Sequence, residues 1–118
     1  MGQLQRILCV AAGLAAASCA TCAITVNYTP VHAPAEPMAA RAQHTVDLFT
    51  SSAPTRAHID VALLEALAPW ATTTTQELFS ALRIRAAQAG CDAVVVKDIT
   101  EDAAYRKTIS GTCISYVK

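Results

Sequence analysis

The stretch 74–96 constrains the fold more than any other part of the chain, because it defines a helix, a strand and the boundary between them. Thr74-Thr75-Gln76-Glu77 is a capping box, in which a Thr side chain accepts from a backbone amide and Glu77 reaches back. At 100° per residue, five apolar residues share one helix face: Leu78, Phe79, Leu82, Ala86 and Ala89. Gly90 stands where a left-handed residue ends a helix. The pattern predicts a helix over 74–89 with Leu82 in the core.

Four segments around this helix have the apolar patterns of strands. Apolar and polar residues alternate over 46–48 and again over 59–63, as in half-buried strands. The run 92–96 is rich in β-branched residues, which favours a buried strand, and 108–117 alternates again. Gly111 is expected to be a bulge or a point of close approach. The order predicts an α+β fold class, a small β-β-α-β-β domain with one helix packed on a four-stranded, mainly antiparallel sheet.

Residues 1–18 have the organisation of an export signal. Arg6 and the terminal amine supply positive charge, and Ile7 to Ala17 is an uncharged run of eleven residues. That length suits a signal peptide and is too short to cross a hydrocarbon core of about 30 Å as a helix. We therefore predict that these residues leave the chain during export and take no part in the fold.

The segment Ala16-Ala17-Ser18-Cys19 resembles a bacterial lipobox, although Ala16 stands where Leu is usual. The resemblance implies that Cys19 becomes the mature N-terminus and carries acyl chains such as palmitate. Cys22 is a second candidate, and an ordinary cleaved signal peptide is the alternative. Because each buried CH₂ contributes about 0.8 kcal/mol, several acyl chains would hold a small domain on a membrane.

Residues 19–43 are predicted to form a lipid-anchored linker. Pro30, Pro34 and Pro37 fall within eight residues, and bulky apolar residues are sparse. Prolines favour extended conformations, so the segment is expected to act as a semi-rigid spacer. The alternation over 24–27 leaves a short strand as a further possibility. The folded domain is then expected over 44–118.

Export places the remaining cysteines where disulfides persist. Cys91 and Cys113 lie nearly symmetrically about the predicted turn 100–107, so an antiparallel hairpin would bring them together. We predict a disulfide between them, which would contribute about 3 kcal/mol to a small domain. Two buried thiols, or a bridge from Cys22 to either one, are the alternatives.

Composition and spacing argue against several function classes. Nine basic and nine acidic residues give no net charge, so we expect no nucleic-acid partner. His58 and Asp60 share a strand face, and an acidic turn follows at 98–102, but solvent exposure accounts for both. No nucleophile, base and orienting group can be assembled, so we expect no enzymatic activity, no metal and no cofactor. Trp70 either covers the edge of the core or anchors a partner.

The stretch 78–96, from Leu78-Phe79-Ser80 through Ala89-Gly90-Cys91 to Val94-Val95-Val96, resembles a recurring bacterial helix–turn–strand pattern. Small envelope lipoproteins similar to the outer-membrane stress sensor of the Rcs phosphorelay share this organisation. The resemblance implies a lipobox, a proline-bearing tether and a compact α+β domain with disulfides. The sensor has four cysteines in two bridges, whereas this domain offers only Cys91 and Cys113.

These features predict a bacterial envelope lipoprotein held by Cys19, with a non-enzymatic interaction or sensor-like domain. We expect it on the outer membrane facing the periplasm, with an envelope protein or the cell wall as partner. The alternative is a module on the same anchor that binds a small ligand or a metal. An exposed apolar patch near Trp70 would favour the first, and a pocket with converging polar groups the second.

Overall fold

The computed structural model describes residues 24–34 and 37–117. These residues form five strands, one α-helix and one short 3₁₀ helix. In chain order they are β1 (Thr25–Pro30), the 3₁₀ helix (Gln43–Thr45), β2 (Asp47–Phe49), β3 (His58–Leu67), α1 (Thr75–Ala89), β4 (Ala93–Glu101) and β5 (Lys107–Tyr116). The predicted α+β class and the single helix are confirmed. In the described part of the chain, no helix is both long and apolar enough to span a bilayer.

The strands form one mixed sheet in the order β1-β3-β5-β4-β2. Three neighbouring pairs are antiparallel, and only the short β2 runs parallel to its neighbour β4. The longest strands, β3 and β5, lie in the middle, where both edges of each are paired. The mainly antiparallel prediction therefore holds, with five strands in place of the predicted four.

The additional strand is β1, which pairs with β3 from Thr25 opposite Leu67 to Pro30 opposite Ala62. Residues 24–34 and 37–43, which the sequence places in a linker, therefore belong in part to the folded unit. Pro30 ends this edge strand, where a missing backbone donor is tolerated. Pro34 and Pro37 thus follow the first strand, and none of the three prolines precedes it.

The helix begins and ends where the sequence predicts. The Thr74 side chain accepts from the Glu77 amide at 3.1 Å, and the Glu77 carboxylate accepts from the Thr74 amide at 3.0 Å. Gly90 ends the helix with φ of 85°, and a Cβ there would lie 2.5 Å from the Ala39 carbonyl oxygen. Glycine is needed both for this left-handed turn and for the close approach of the chain.

The main core lies between α1 and one face of the sheet. Leu78 and Leu82 are fully buried, which confirms the predicted role of Leu82. They belong to one apolar cluster with residues from the central strands: Leu64, Val94, Ile109 and Cys113. Gly111 is a point of close approach, since a Cβ there would lie 2.9 Å from the Val94 side chain. The bulge in β4 falls instead between Val96 and Asp98.

The opposite face of the sheet has a smaller apolar cluster. Ala93, Val95 and Ile114 are buried there, and Phe49 and Tyr116 pack against them. The Arg56 guanidinium lies over the Tyr116 ring at 4.4 Å and covers this end of the face. Further along, Leu63 is about half exposed. The consecutive apolar residues of β4 are therefore explained by cover on both faces.

Candidate functional site

Cys91 and Cys113 form a disulfide in the core, as predicted. Their Cα atoms are 5.7 Å apart, and both residues are fully buried. Cys91 lies in the short turn between α1 and β4, and Cys113 lies on the helix-facing side of β5. The bridge therefore links the end of the helix to the central strand of the sheet.

The geometry of this bridge differs from the predicted hairpin pair. The residue opposite Cys113 on β4 is Val94, and the strand begins only at Ala93. The bulge around Lys97 and the length of the turn shift the register, so symmetry about Asp102 does not make two residues face each other. Cys91 reaches Cys113 because the turn after α1 lies on the face of the sheet that the helix covers, and Cys113 points to that same face.

Arg41 and Asp92 bind three segments together next to the bridge. The Arg41 guanidinium forms an ion pair with the Asp92 carboxylate and donates to the Thr45 side chain and carbonyl. The second Asp92 oxygen accepts from the Tyr116 amide at 2.8 Å. Sequence reasoning missed this network, because Arg41 stands 51 positions from Asp92 and no local pattern marks such a pair.

Arg83 and Arg85 on α1 both make specific contacts. The Arg83 guanidinium donates to the Val46 carbonyl oxygen at 2.9 and 3.2 Å. The Arg85 guanidinium lies 4.5 Å from the centre of the Tyr28 ring, so its charge faces the π electrons of an edge-strand residue. These contacts fasten the helix to β1 and to the start of β2.

We call the end of the sheet that contains His58 and Tyr116 the far end. A cavity of about 730 Å³ lies there between the segment after β1 and the sheet. Apolar side chains provide most of the wall, among them Met38, Ile59 and Val117, and Arg41 and Asp92 line the polar part. Partial burial raises the pKa of the nearby Tyr116 phenol, and the Asp47 carboxylate adds to this rise.

We call the opposite end of the sheet the entry end, because the chain enters the sheet there at Thr25. Three segments meet at this end: the start of β1, the loop 68–74 and the turn 102–106. Thr25 lies opposite Leu67, and the Ala68 amide donates to the Lys107 carbonyl oxygen at 3.0 Å. The loop 68–74 thus follows the strand next to β1, and the turn 102–106 lies further along the same end of the sheet, where β4 joins β5.

The two most exposed large apolar residues of the described chain lie in these two loops. Trp70 is 63% exposed and Tyr105 is 70% exposed. Trp70 therefore does not cover the core edge, one of the two roles predicted for it. Sequence reasoning did not single out Tyr105.

Tyr105 has a φ of 62°, which is left-handed. The turn contains no glycine that could take that conformation.

Asp102 holds this turn together. Its carboxylate accepts from the Ala104 amide at 2.8 Å, from the Arg106 amide at 3.0 Å and from the Arg106 side chain at 3.1 Å. The backbone hydrogen bond from Arg106 is the main cause that lowers the pKa of Asp102, and the Arg106 charge contributes. The prediction of an acidic turn over 98–102 is wrong for Asp98 and Glu101, which lie in β4; only Asp102 belongs to the turn.

The other candidate ligands make backbone contacts. His58 Nδ1 lies 2.9 Å from the Arg56 carbonyl oxygen, and His32 Nδ1 lies 3.0 Å from the Asp60 carbonyl oxygen. Within residues 24–34 and 37–117, no three His, Cys, Asp or Glu residues are grouped so that they could hold a metal ion. Cys19, Cys22 and the predicted signal 1–18 lie outside the described residues.

The fold defines a class, the small α+β domains in which one helix covers a five-stranded mixed sheet. A crystal structure of a Francisella virulence factor, FvfA, is similar, with a TM-score of 0.59 over 75% of this chain and 95% of that chain. Sequence identity is 8%, so the similarity concerns the fold alone. No protein-family model and no curated protein matches the chain. The resemblance to the Rcs stress sensor stays a prediction.

Proposed function

We propose that this protein is a bacterial envelope lipoprotein that is anchored through acyl chains on Cys19 and carries a non-enzymatic interaction or sensor-like domain. The observation that supports it best is the buried Cys91–Cys113 disulfide. Such bridges persist in oxidising compartments such as the periplasm and are rare in the cytosol. An export signal leads to such a compartment, so the disulfide agrees with the signal predicted for residues 1–18.

The arrangement of polar groups also supports a non-enzymatic role. Asp92 and Asp102 accept from backbone amides and from arginines, and His32 and His58 lie against backbone carbonyls. These groups stabilise turns and segment contacts. The outer membrane facing the periplasm is the proposed location, and an envelope protein or the cell wall is the proposed partner.

Mass spectrometry of the mature N-terminal peptide tests the anchor. We expect the chain to begin at Cys19 with acyl chains attached, and we expect Cys19→Ala to move the protein to the soluble envelope fraction. Cys22→Ala is the matched control, since Cys22 is the other candidate, and it should leave the protein on the membrane. An unmodified Cys19 in the mature chain would refute the proposal.

A second candidate function is supported by the cavity at the far end. Its volume of about 730 Å³ and its mostly apolar wall suit a small amphipathic ligand. Ile59→Trp would fill the space from an exposed position. A ligand that raises the melting temperature of the wild type and not of Ile59→Trp would establish this function. Equal shifts in both proteins would exclude the cavity as the binding site.

A further inference from the structure

Two exposed aromatic side chains, Trp70 and Tyr105, lie at the entry end, and neither belongs to the apolar clusters of the core. Trp70 and Tyr105 lie in separate loops, and both loops leave the sheet at the end where β1 starts. Each side chain is exposed over more than half of its surface. Tryptophan and tyrosine are the residues that concentrate at the interface between lipid and water, because one part of each ring system is apolar and another part bonds to water.

The chain itself limits how far this end can be from the anchor. Five residues lie between Cys19 and Thr25, the first residue of β1, so six Cα–Cα steps join the two. A fully extended chain spans at most about 3.6 Å per residue, so the start of β1 lies within roughly 22 Å of an acylated Cys19. None of the prolines predicted to form a spacer lies between Cys19 and β1, since Pro30 ends that strand and Pro34 and Pro37 follow it. The entry end is therefore the part of the domain that a lipid anchor would hold at the membrane.

The backbone of Tyr105 supplies an independent observation. Its left-handed conformation, with φ of 62°, is one that glycine or asparagine adopts with less strain. Strain of this kind persists where the surrounding structure holds it, here through the Asp102 hydrogen bonds to the Ala104 and Arg106 amides, and it is frequent at functional sites. A bulky aromatic residue is thus kept at the tip of the turn at a cost to the fold.

The charged groups at the entry end are largely engaged with other groups of the protein. Asp102 pairs with Arg106, and the Lys107 ammonium lies 3.5 Å from the Thr73 carbonyl oxygen. Glu77 and Glu101 lie in the elements that adjoin the two loops. An attraction to the membrane surface would therefore come from the aromatic rings and depend little on anionic headgroups.

We infer that the entry end is a membrane-contacting surface, in which Trp70 and Tyr105 enter the interfacial layer of the bilayer that holds the acyl anchor. The inference rests on the proposed function. It fixes the orientation of the domain: the entry end faces the lipid, and the far end with its cavity faces away. The anchor and these two rings together would restrict rotation of the domain on the membrane.

Trp70 is the only tryptophan of the chain, so its fluorescence reports on this surface directly. The acylated full-length protein is reconstituted in phosphatidylethanolamine and phosphatidylglycerol vesicles with or without lipids brominated on the acyl chains. Acylation is verified by mass spectrometry and vesicle association by flotation. We expect brominated lipid to reduce Trp70 emission by at least about two-fold, because indole rings settle at the interface.

The matched control moves the reporter to the other end of the sheet. Trp70→Phe combined with Val117→Trp places the only tryptophan at an exposed far-end position, and we expect no quenching there. Tyr105→Ala in the wild-type background should weaken the quenching of Trp70. Equal quenching at both ends, or none at Trp70 in a protein that is acylated and floats, would overturn the inference. Failure of acylation would instead refute the proposed function.

Discussion

Reduction of the Cys91–Cys113 disulfide is the perturbation whose effect can be worked out most directly from the structure. The bridge closes a loop with a sequence separation of 22. The chain-entropy relation for a loop of that length gives about 3.4 kcal/mol at 25 °C. Small domains have a total free energy of unfolding of roughly 5–15 kcal/mol, so its loss would remove a large fraction of the stability.

The assay compares urea unfolding of the oxidised and the reduced protein in a Cys22→Ala background, which leaves one pair of thiols in the domain. With a slope of about 1 kcal/mol/M, the loss corresponds to a midpoint lower by about 3 M. The native protein should resist mild reductant, since both cysteines are fully buried. Reduction should therefore require denaturant.

Two results would contradict this reasoning. If the oxidised, denatured protein labels with two free thiols at Cys91 and Cys113, the bridge does not form. If the bridge forms but both redox states unfold at the same urea concentration, the loop-closure estimate fails. The double variant Cys91→Ala/Cys113→Ala separates loss of the bridge from chemical damage by the reductant, because it should unfold near the reduced wild type.

Four further predictions concern single residues. Leu82→Ala should lower the free energy of unfolding by about 2–5 kcal/mol, measured by urea denaturation, and an unchanged midpoint would contradict the buried position. Gly90→Ala should cost about 1–2 kcal/mol for the left-handed backbone and more for the contact with Ala39, whereas Ala89→Gly, one residue earlier in the helix, should cost only about 1 kcal/mol. Tyr105→Gly should raise the melting temperature, since the relieved strain of about 1–2 kcal/mol exceeds the added chain entropy of about 0.5–1 kcal/mol; a lower melting temperature would argue against strain. The pKa of Asp102 is below its ordinary 3.8, so Asp102 stabilises the fold above that pH and this contribution is lost as the pH falls through the lowered pKa; the stability difference between wild type and Asp102→Asn should disappear in acid, and a difference constant with pH would contradict this.

The helix was predictable because its signals are local. The capping box at Thr74, the apolar spacing and Gly90 are all contained within 17 consecutive residues, and both ends of the helix are where they were expected. The buried face includes Leu78, Leu82 and Ala86 as predicted, but Phe79 and Ala89 are only partly buried and Ala81 and Ala87 are buried in addition. β1 was placed in a linker because its residues are polar and end in Pro30. Its membership of the sheet depends on a distant partner, β3, and such pairing is set by context more than by local preference.

The disulfide illustrates a prediction that succeeds with an incorrect geometry. The pairing of Cys91 with Cys113 was predicted from their symmetry about the 100–107 turn, whereas Cys113 lies opposite Val94. The register was not predictable, because a bulge beside Lys97 leaves no signature that a sequence pattern reveals. The same limit applies to Tyr105, since no local pattern marks it as the residue of the turn that adopts a positive φ.

The position of β1 has a mechanical consequence. The chain enters at the entry end through Thr25, and β5 ends at the far end with Tyr116. A pull between the two chain ends would therefore draw β1 lengthwise along β3, parallel to the strands. All six residue pairs between these strands would bear such a load together, whereas a pull across the sheet would break them one after another. Forced unfolding depends on the rate at which such contacts rupture. The domain is thus built to resist tension between its termini through shear of its first strand.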